Sequence, residues 1–255
     1  MTTTPGTPER SAYDAVVLAG GAARRLGGTD KPAVSVGGRA LLDRVLSACA
    51  GAARTVVVGG RRPTTRPVLW TREDPPGGGP LAALDAGLRH CRAETVIVLS
   101  ADLPFLGPRT VGALLAALGG AAPGREAGTP VEGALLTDAA ERDQPLVAAY
   151  RLEPLRREIA LLATEYGSLS GLPLRLLTRE LDLVRVAADA LASFDCDTWE
   201  DIAAARAGGG PEAVAEASRK AAALAARWAA ESDDQGTQPG NGGPGDARSG
   251  EATAG

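Results

Sequence analysis

The run Val17-Leu18-Ala19-Gly20-Gly21-Ala22-Ala23-Arg24-Arg25-Leu26-Gly27-Gly28-Thr29-Asp30-Lys31-Pro32 combines the residue types that hold a polyphosphate. Glycine lets the backbone turn sharply and brings its N–H groups close to an anion. Arginine and lysine then neutralise that anion. The spacing G-G-x3-R-x-G-x3-K, placed directly after a short apolar run, predicts a phosphate loop leaving a buried strand. It is neither common phosphate loop: Lys31 is followed by Pro32 rather than Ser or Thr, and the glycines of this run do not supply G-x-G-x-x-G. An ordinary strand-to-helix turn carrying surface arginines is the plain alternative.

Four further segments carry polar groups suited to the same chemistry. Asp102, in Ser100-Ala101-Asp102-Leu103-Pro104-Phe105, follows another apolar run. A carboxylate at the carboxyl end of a strand suits Mg²⁺, a hard cation that keeps several waters. A turn aspartate before proline is the alternative. In Asp195-Cys196-Asp197-Thr198, Asp197 is the better candidate for a second metal ligand and Asp195 the weaker. Capping of the helix that follows is open at the same position. The loop Arg72-Glu73-Asp74-Pro75-Pro76-Gly77-Gly78-Gly79-Pro80 opens a helix, whose N–H groups can face an anion. Asp74 there is placed to accept hydrogen bonds from a ribose or base, and a plain connection is the alternative. Gln144 and Pro145, in Arg142-Asp143-Gln144-Pro145-Leu146, either line a pocket for a second substrate or end a hairpin.

Together these groups predict nucleotidyl transfer, in which a phosphate oxygen of an acceptor attacks the α-phosphorus of a nucleoside triphosphate and pyrophosphate leaves. The acceptor brings its own nucleophile, so positioning and charge neutralisation are the protein's work. Arg25 would stabilise the pyrophosphate, and Lys31 would lie near the α-phosphate and the incoming oxygen. A lone histidine, His90, leaves no basis for a zinc site or a Ser-His-Asp triad, and a helix surface is its expected place.

These residues need an α/β scaffold, and the chain supplies one. Its 255 residues are 44% hydrophobic but only 3% aromatic, enough for one core built from Ala, Leu and Val. Near-continuous apolar runs at 13–19, 54–59, 68–71 and 95–100 read as strands buried on both faces. Between them, Leu41, Val45 and Cys49, then Leu81, Leu84, Leu88 and Cys91, then Val111, Leu114, Leu115 and Leu118 form helical stripes. This rhythm predicts a three-layer, doubly wound, mostly parallel sheet. Later strands are expected at 133–137, 145–150, 181–186 and 191–194, with a helix from about Glu153-Pro154. Residues 1–11 read as a disordered start, 12–207 as the folded domain, and 208–230 as a linker with an Ala-rich helical extension. Residues 231–255 lack Val, Ile, Leu, Met and aromatics and read as a disordered tail. The formal net charge of -4 argues against nucleic acid as a partner. Cys49, Cys91 and Cys196 fit no disulfide framework, and no stretch has the length of a membrane span, so a cytoplasmic protein is expected.

The opening run resembles the signature L-A-G-G-x3-R-x-G-x2-D-K of the nucleotidyltransferase family of molybdenum cofactor guanylyltransferases and their relatives. It is matched at Leu18, Ala19, Gly20, Gly21, Arg25, Gly27, Asp30 and Lys31. Asp74 with Gly79-Pro80-Leu81, Asp102-Leu103-Pro104, Gln144-Pro145 and Asp197-Thr198 resemble later motifs, in family order over about 13–207. The resemblance implies a Rossmann-like nucleotidyltransferase fold, GTP on Leu18, Ala19, Gly20, Gly21, Lys31, Asp74, Gly79 and Asp102, and Mg²⁺ as cofactor. Its acceptor would be molybdenum-molybdopterin and its product the guanine dinucleotide, with transient contact to other cofactor-biosynthesis proteins. A sister enzyme using CTP, a transferase acting on another small phosphorylated acceptor, and a non-catalytic nucleotide sensor are the alternatives. Gly59 stands where the guanylyltransferases carry an Asn, and Trp199 where the family often has Pro.

Overall fold

The computed structural model describes residues 13–20, 30–120, 131–138, 141–187, 196 and 199–206. The expectations for 1–11, Gly21, Arg25, Gly27, the strand at 191–194, Asp195, Asp197 and everything beyond 206 lie outside the described residues.

A seven-stranded sheet forms the centre. Its strands are β1 (Tyr13–Leu18), β4 (Arg54–Val58), β5 (Leu69–Thr71), β6 (Thr95–Ser100), β7 (Gly133–Thr137), β8 (Asp143–Arg151) and β9 (Leu183–Ala187), in the order β5-β4-β1-β6-β8-β7-β9. All adjacent pairs are parallel except the two made by β8, which runs against both β6 and β7. A separate two-stranded hairpin, β2 (Ser35–Val36) and β3 (Arg39–Ala40), turns through Gly37 and Gly38. Their φ values of 55° and 79° are what a two-residue hairpin loop with the sheet's own twist requires.

The strand sequences explain the layers. Alternate residues face opposite sides, so Ala15 and Val17 enter one core while Val16 and Leu18 enter the other. On the first face α1 (Leu41–Ala48) and α3 (Pro108–Leu118) insert Leu42, Val45, Leu46, Val111 and Leu114. On the second, α2 (Gly79–Leu88) and α4 (Leu152–Tyr166) insert Leu81, Leu84, Leu88, Leu155 and Ile159, joined by Leu177 of α5 (Arg175–Glu180). Both faces are therefore covered, which is why the central strands carry near-continuous apolar runs. A third cluster joins Val34, Val36 and Leu41 to Cys196 and to Ile202 and Ala205 of α6 (Trp199–Arg206). The doubly wound, mostly parallel expectation holds.

Three details differ from the sequence reading. His90 lies in the turn after α2 and is half-buried, with Nε2 at 3.3 Å from Thr71 Oγ1, rather than on a helix surface. The hairpin β2–β3 and the short α5 were not foreseen. β8 begins at Asp143, two residues before the expected start at Pro145, so Gln144 is a strand residue as well. No described helix is long and apolar enough to cross a membrane.

All three cysteines are free and buried. Burial pushes the Cys49 thiol up to about 11, and burial with the nearby Asp14 carboxylate pushes Cys91 up to about 12. Neither presents a thiolate near neutral pH, so neither is a nucleophile.

Candidate functional site

The strand order reverses at β1: the chain moves outward to β4 and β5, then returns to β6 on the other side. Open α/β sheets bind ligands outside the carboxyl ends of the strands at such a point. Leu18 and Ser100, the last residues of β1 and β6, lie opposite one another there. Backbone bonds carry the pairing past the strand ends: Ala101 N donates to Leu18 O at 3.0 Å, Ala19 N to Val58 O at 2.8 Å, and Gly59 N to Thr71 O at 2.9 Å. The exits of β1, β4 and β6 are thereby fixed to one another before any ligand arrives.

Lys31 and Asp102 meet at this edge. Lys31 opens a 3-10 turn, Lys31–Ala33, that leads into the β2–β3 hairpin. Its Nζ donates to Asp102 Oδ2 at 2.5 Å, with side-chain exposures of 16% and 17%. The pair is shielded enough to be felt strongly and open enough to be reached by a ligand. The Ser100 hydroxyl donates to the other Asp102 oxygen at 2.5 Å. The backbone around Asp102 is held as well. Its carbonyl accepts from Cys196 N at 3.2 Å, and Arg44 bridges Val36 O and Pro104 O. Cys196 is the one described residue of the Asp195–Thr198 motif; Asp195, Asp197 and Thr198 lie outside the described residues.

Gly59 makes the approach of β4 to the exit of β1 possible. A Cβ there would lie 2.8 Å from Ala19 O and 3.1 Å from Gly20 N, and its φ is 150°. These are backbone atoms that cannot rotate away, so Gly59→Ala must part the two strand exits. Thermal unfolding should show a loss of about 1–3 kcal/mol, the range for overpacking a filled site. Unchanged stability would mean that the exits separate freely.

The remaining candidates flank this centre. Asp74 is exposed in the loop after β5, where the Glu73 carboxylate accepts from Gly77 N at 3.0 Å. Gly79 begins α2, with Pro80 in its first turn and Gly78 O accepting from Gly171 N at 2.9 Å. On the other side, Leu99 of β6 faces Val147 of β8, so Gln144 and Pro145 fall at the carboxyl end of β6. The buried Tyr150 hydroxyl donates to Pro145 O at 3.0 Å, and Gln144 Nε2 reaches Asp138 Oδ2 at 3.4 Å. The structure thus pairs Lys31 with Asp102 and sets Leu18 opposite Ser100 at the same edge, where the chain leaves β1 through Ala19 and Gly20, with Asp74 and Gly79 at one flank and Gln144 and Pro145 at the other. Among the described residues no three His, Cys, Asp or Glu side chains gather as a metal cluster. Sequence reasoning missed Ser100, Arg44 and Arg62. The Arg61-Arg62 pair directly behind a strand and two glycines was the available signal for the last.

The molecule is thus a three-layer α/β domain with a cation–carboxylate pair at its topological switch point. The MobA-like NTP transferase domain family matches residues 15–182. A molybdenum cofactor guanylyltransferase of Shewanella sp. (strain MR-4) is 32% identical over 159 residues, covering 60% of this chain and 75% of that one. One of Acidiphilium cryptum (strain JF-5) is 36% identical over 179 residues, covering 63% and 87%. The solved molybdopterin-guanine dinucleotide biosynthesis protein A of Archaeoglobus fulgidus shares the fold with a TM-score of 0.56 at 22% identity, covering 76% of this chain and 97% of that one. The chain belongs to the MobA-like NTP transferase family.

Proposed function

We propose that the chain transfers GMP from GTP to the phosphate of molybdenum-molybdopterin, forming molybdopterin guanine dinucleotide and pyrophosphate. The names of the two guanylyltransferase relatives support the substrates. The observation that carries the reading is the Lys31–Asp102 pair at the switch point. An oxygen of the acceptor phosphate forms the new bond to the α-phosphorus, the bond from that phosphorus to the bridging oxygen breaks, and pyrophosphate leaves with its electron pair. Leu18, Ala19, Gly20 and Gly21 offer backbone to the phosphates. Lys31 and Arg25 offset their charge, and Asp74 and Gly79 hold the nucleoside end. Gln144 and Pro145 face the acceptor.

The donor set fits Mg²⁺. Asp102 is a hard oxygen ligand at the reachable edge, its two oxygens oriented by Ser100 and Lys31. One or two carboxylates plus substrate phosphates is the usual coordination for this ion, and Asp197 is the second candidate. When bound, Mg²⁺ supplies charge neutralisation at the α-phosphate and the leaving oxygens. We assign the transferase unit to 12–207, and the free, buried cysteines suit a reducing cytoplasm.

Pyrophosphate release should be measured with Mg²⁺, molybdenum-molybdopterin and either GTP or CTP. Release with GTP and little with CTP is the expected result. The reverse preference would make the chain a cytidylyltransferase. Heat protection by GTP without release would make it a sensor.

A further inference from the structure

Arg62 lies in the loop after β4, within reach of both anchors of the predicted phosphate loop. Its NH1 donates to Ala19 O at 3.3 Å, where the chain leaves β1. Its Nε and NH2 donate to the two oxygens of Asp30 at 3.0 and 2.8 Å, where the chain re-enters just before Lys31. The guanidinium carbon lies 5.9 Å from the Trp70 ring centroid, so the cation also meets an aromatic face. Its side chain is only 13% exposed, whereas Asp30 is 52% exposed. An arginine on the surface with one exposed partner contributes little. Here one planar group satisfies three acceptors from two points of the chain, and only a guanidinium has that fork.

We propose that Arg62 is a positioning residue for nucleotide binding: it fixes Ala19 and Asp30 relative to each other and so sets the entry and exit of the loop that receives the phosphates. This rests on the nucleotidyl-transfer reading above. A loop held in place before GTP arrives binds ground state and transition state alike, so its loss appears in KM rather than kcat. Arg62 is bonded to the two anchors, whereas Lys31 is paired with Asp102.

The test compares wild type, Arg62→Ala, Arg62→Lys and Asp30→Asn in the full chain. Arg62→Ala should raise KM for GTP about tenfold or more with kcat within about threefold. Arg62→Lys should fail to restore KM, since a point charge cannot bridge both anchors. Asp30→Asn, which keeps the shape but removes the charge, should raise KM in the same sense. In nucleotide-free protein, amide exchange in peptides carrying Ala19–Gly20 and Asp30–Ala33 should quicken in Arg62→Ala, with β6 unchanged. An unaltered KM and exchange pattern would overturn the proposal, as would full rescue by lysine. A fall in kcat at constant KM would also overturn it, placing Arg62 on the phosphates instead. If Arg62→Ala does not fold, Arg62→Lys and Asp30→Asn carry the same comparison. Absence of GTP turnover in wild type would sink the functional reading alone, because the exchange comparison needs no nucleotide.

Discussion

Asp102→Ala is expected to remove nucleotide transfer while leaving the fold in place. The carboxylate terminates two bonds, from the Ser100 hydroxyl and from Lys31 Nζ, at the edge where β1 and β6 end. In the proposed reading it is also the carboxylate that would hold Mg²⁺. Electrostatic stabilisation of a transferring phosphoryl group is worth several kcal/mol, and each 1.36 kcal/mol is tenfold, so the expected fall in kcat is at least about 10³-fold. Little stability should be lost, because the side chain is neither in a core cluster nor fully buried. Asp102→Asn separates charge from shape: it keeps an acceptor for Ser100 at nearly constant volume but not the negative charge. It should be almost as inactive as alanine. Pyrophosphate release measured beside a thermal melt decides this, and more than a tenth of wild-type activity in either variant would contradict the assigned role.

What was legible in the chain follows from the physics of each element. The strands β1, β4 and β6 could be read because both faces are buried and each carries an unbroken apolar run, 15–18, 56–58 and 96–99. Gly20 and Asp102 were legible as candidates because they follow strand ends, where the backbone must turn, and Lys31 because of its spacing from the glycines. The hairpin β2–β3 was invisible since two-residue strands carry no period. β8 was read short at its start because Asp143 and Gln144 are polar, half-buried residues that extend no apolar run. Arg62 was missed for a different reason. Its acceptors are 43 and 32 residues away, and no local pattern announces a partner that only the β1–β4 pairing brings near. The same long-range pairing turned Gly59 from an apparent substitution into a steric requirement.

Lys31→Ala should separate chemistry from binding. The structure holds Nζ against Asp102 without a nucleotide, so in the proposed reading the cation would already be oriented toward the reacting phosphate. A preorganised charge does not have to reorganise during the reaction, which is why such groups act mainly on the transition state. The expected result is a fall in kcat of about 10²–10³-fold, with KM for GTP changing less than about tenfold. In the proposed reading several backbone N–H groups and Arg25 would share ground-state binding of the triphosphate, whereas Lys31 Nζ is held against the Asp102 carboxylate. Because the two side chains act as one unit, Lys31→Ala in an Asp102→Ala background should cost far less than it does alone. Additive losses would mean that the pair seen at the switch point has no joint role. A loss confined to KM would move Lys31 from the reacting phosphate to the outer end of the triphosphate.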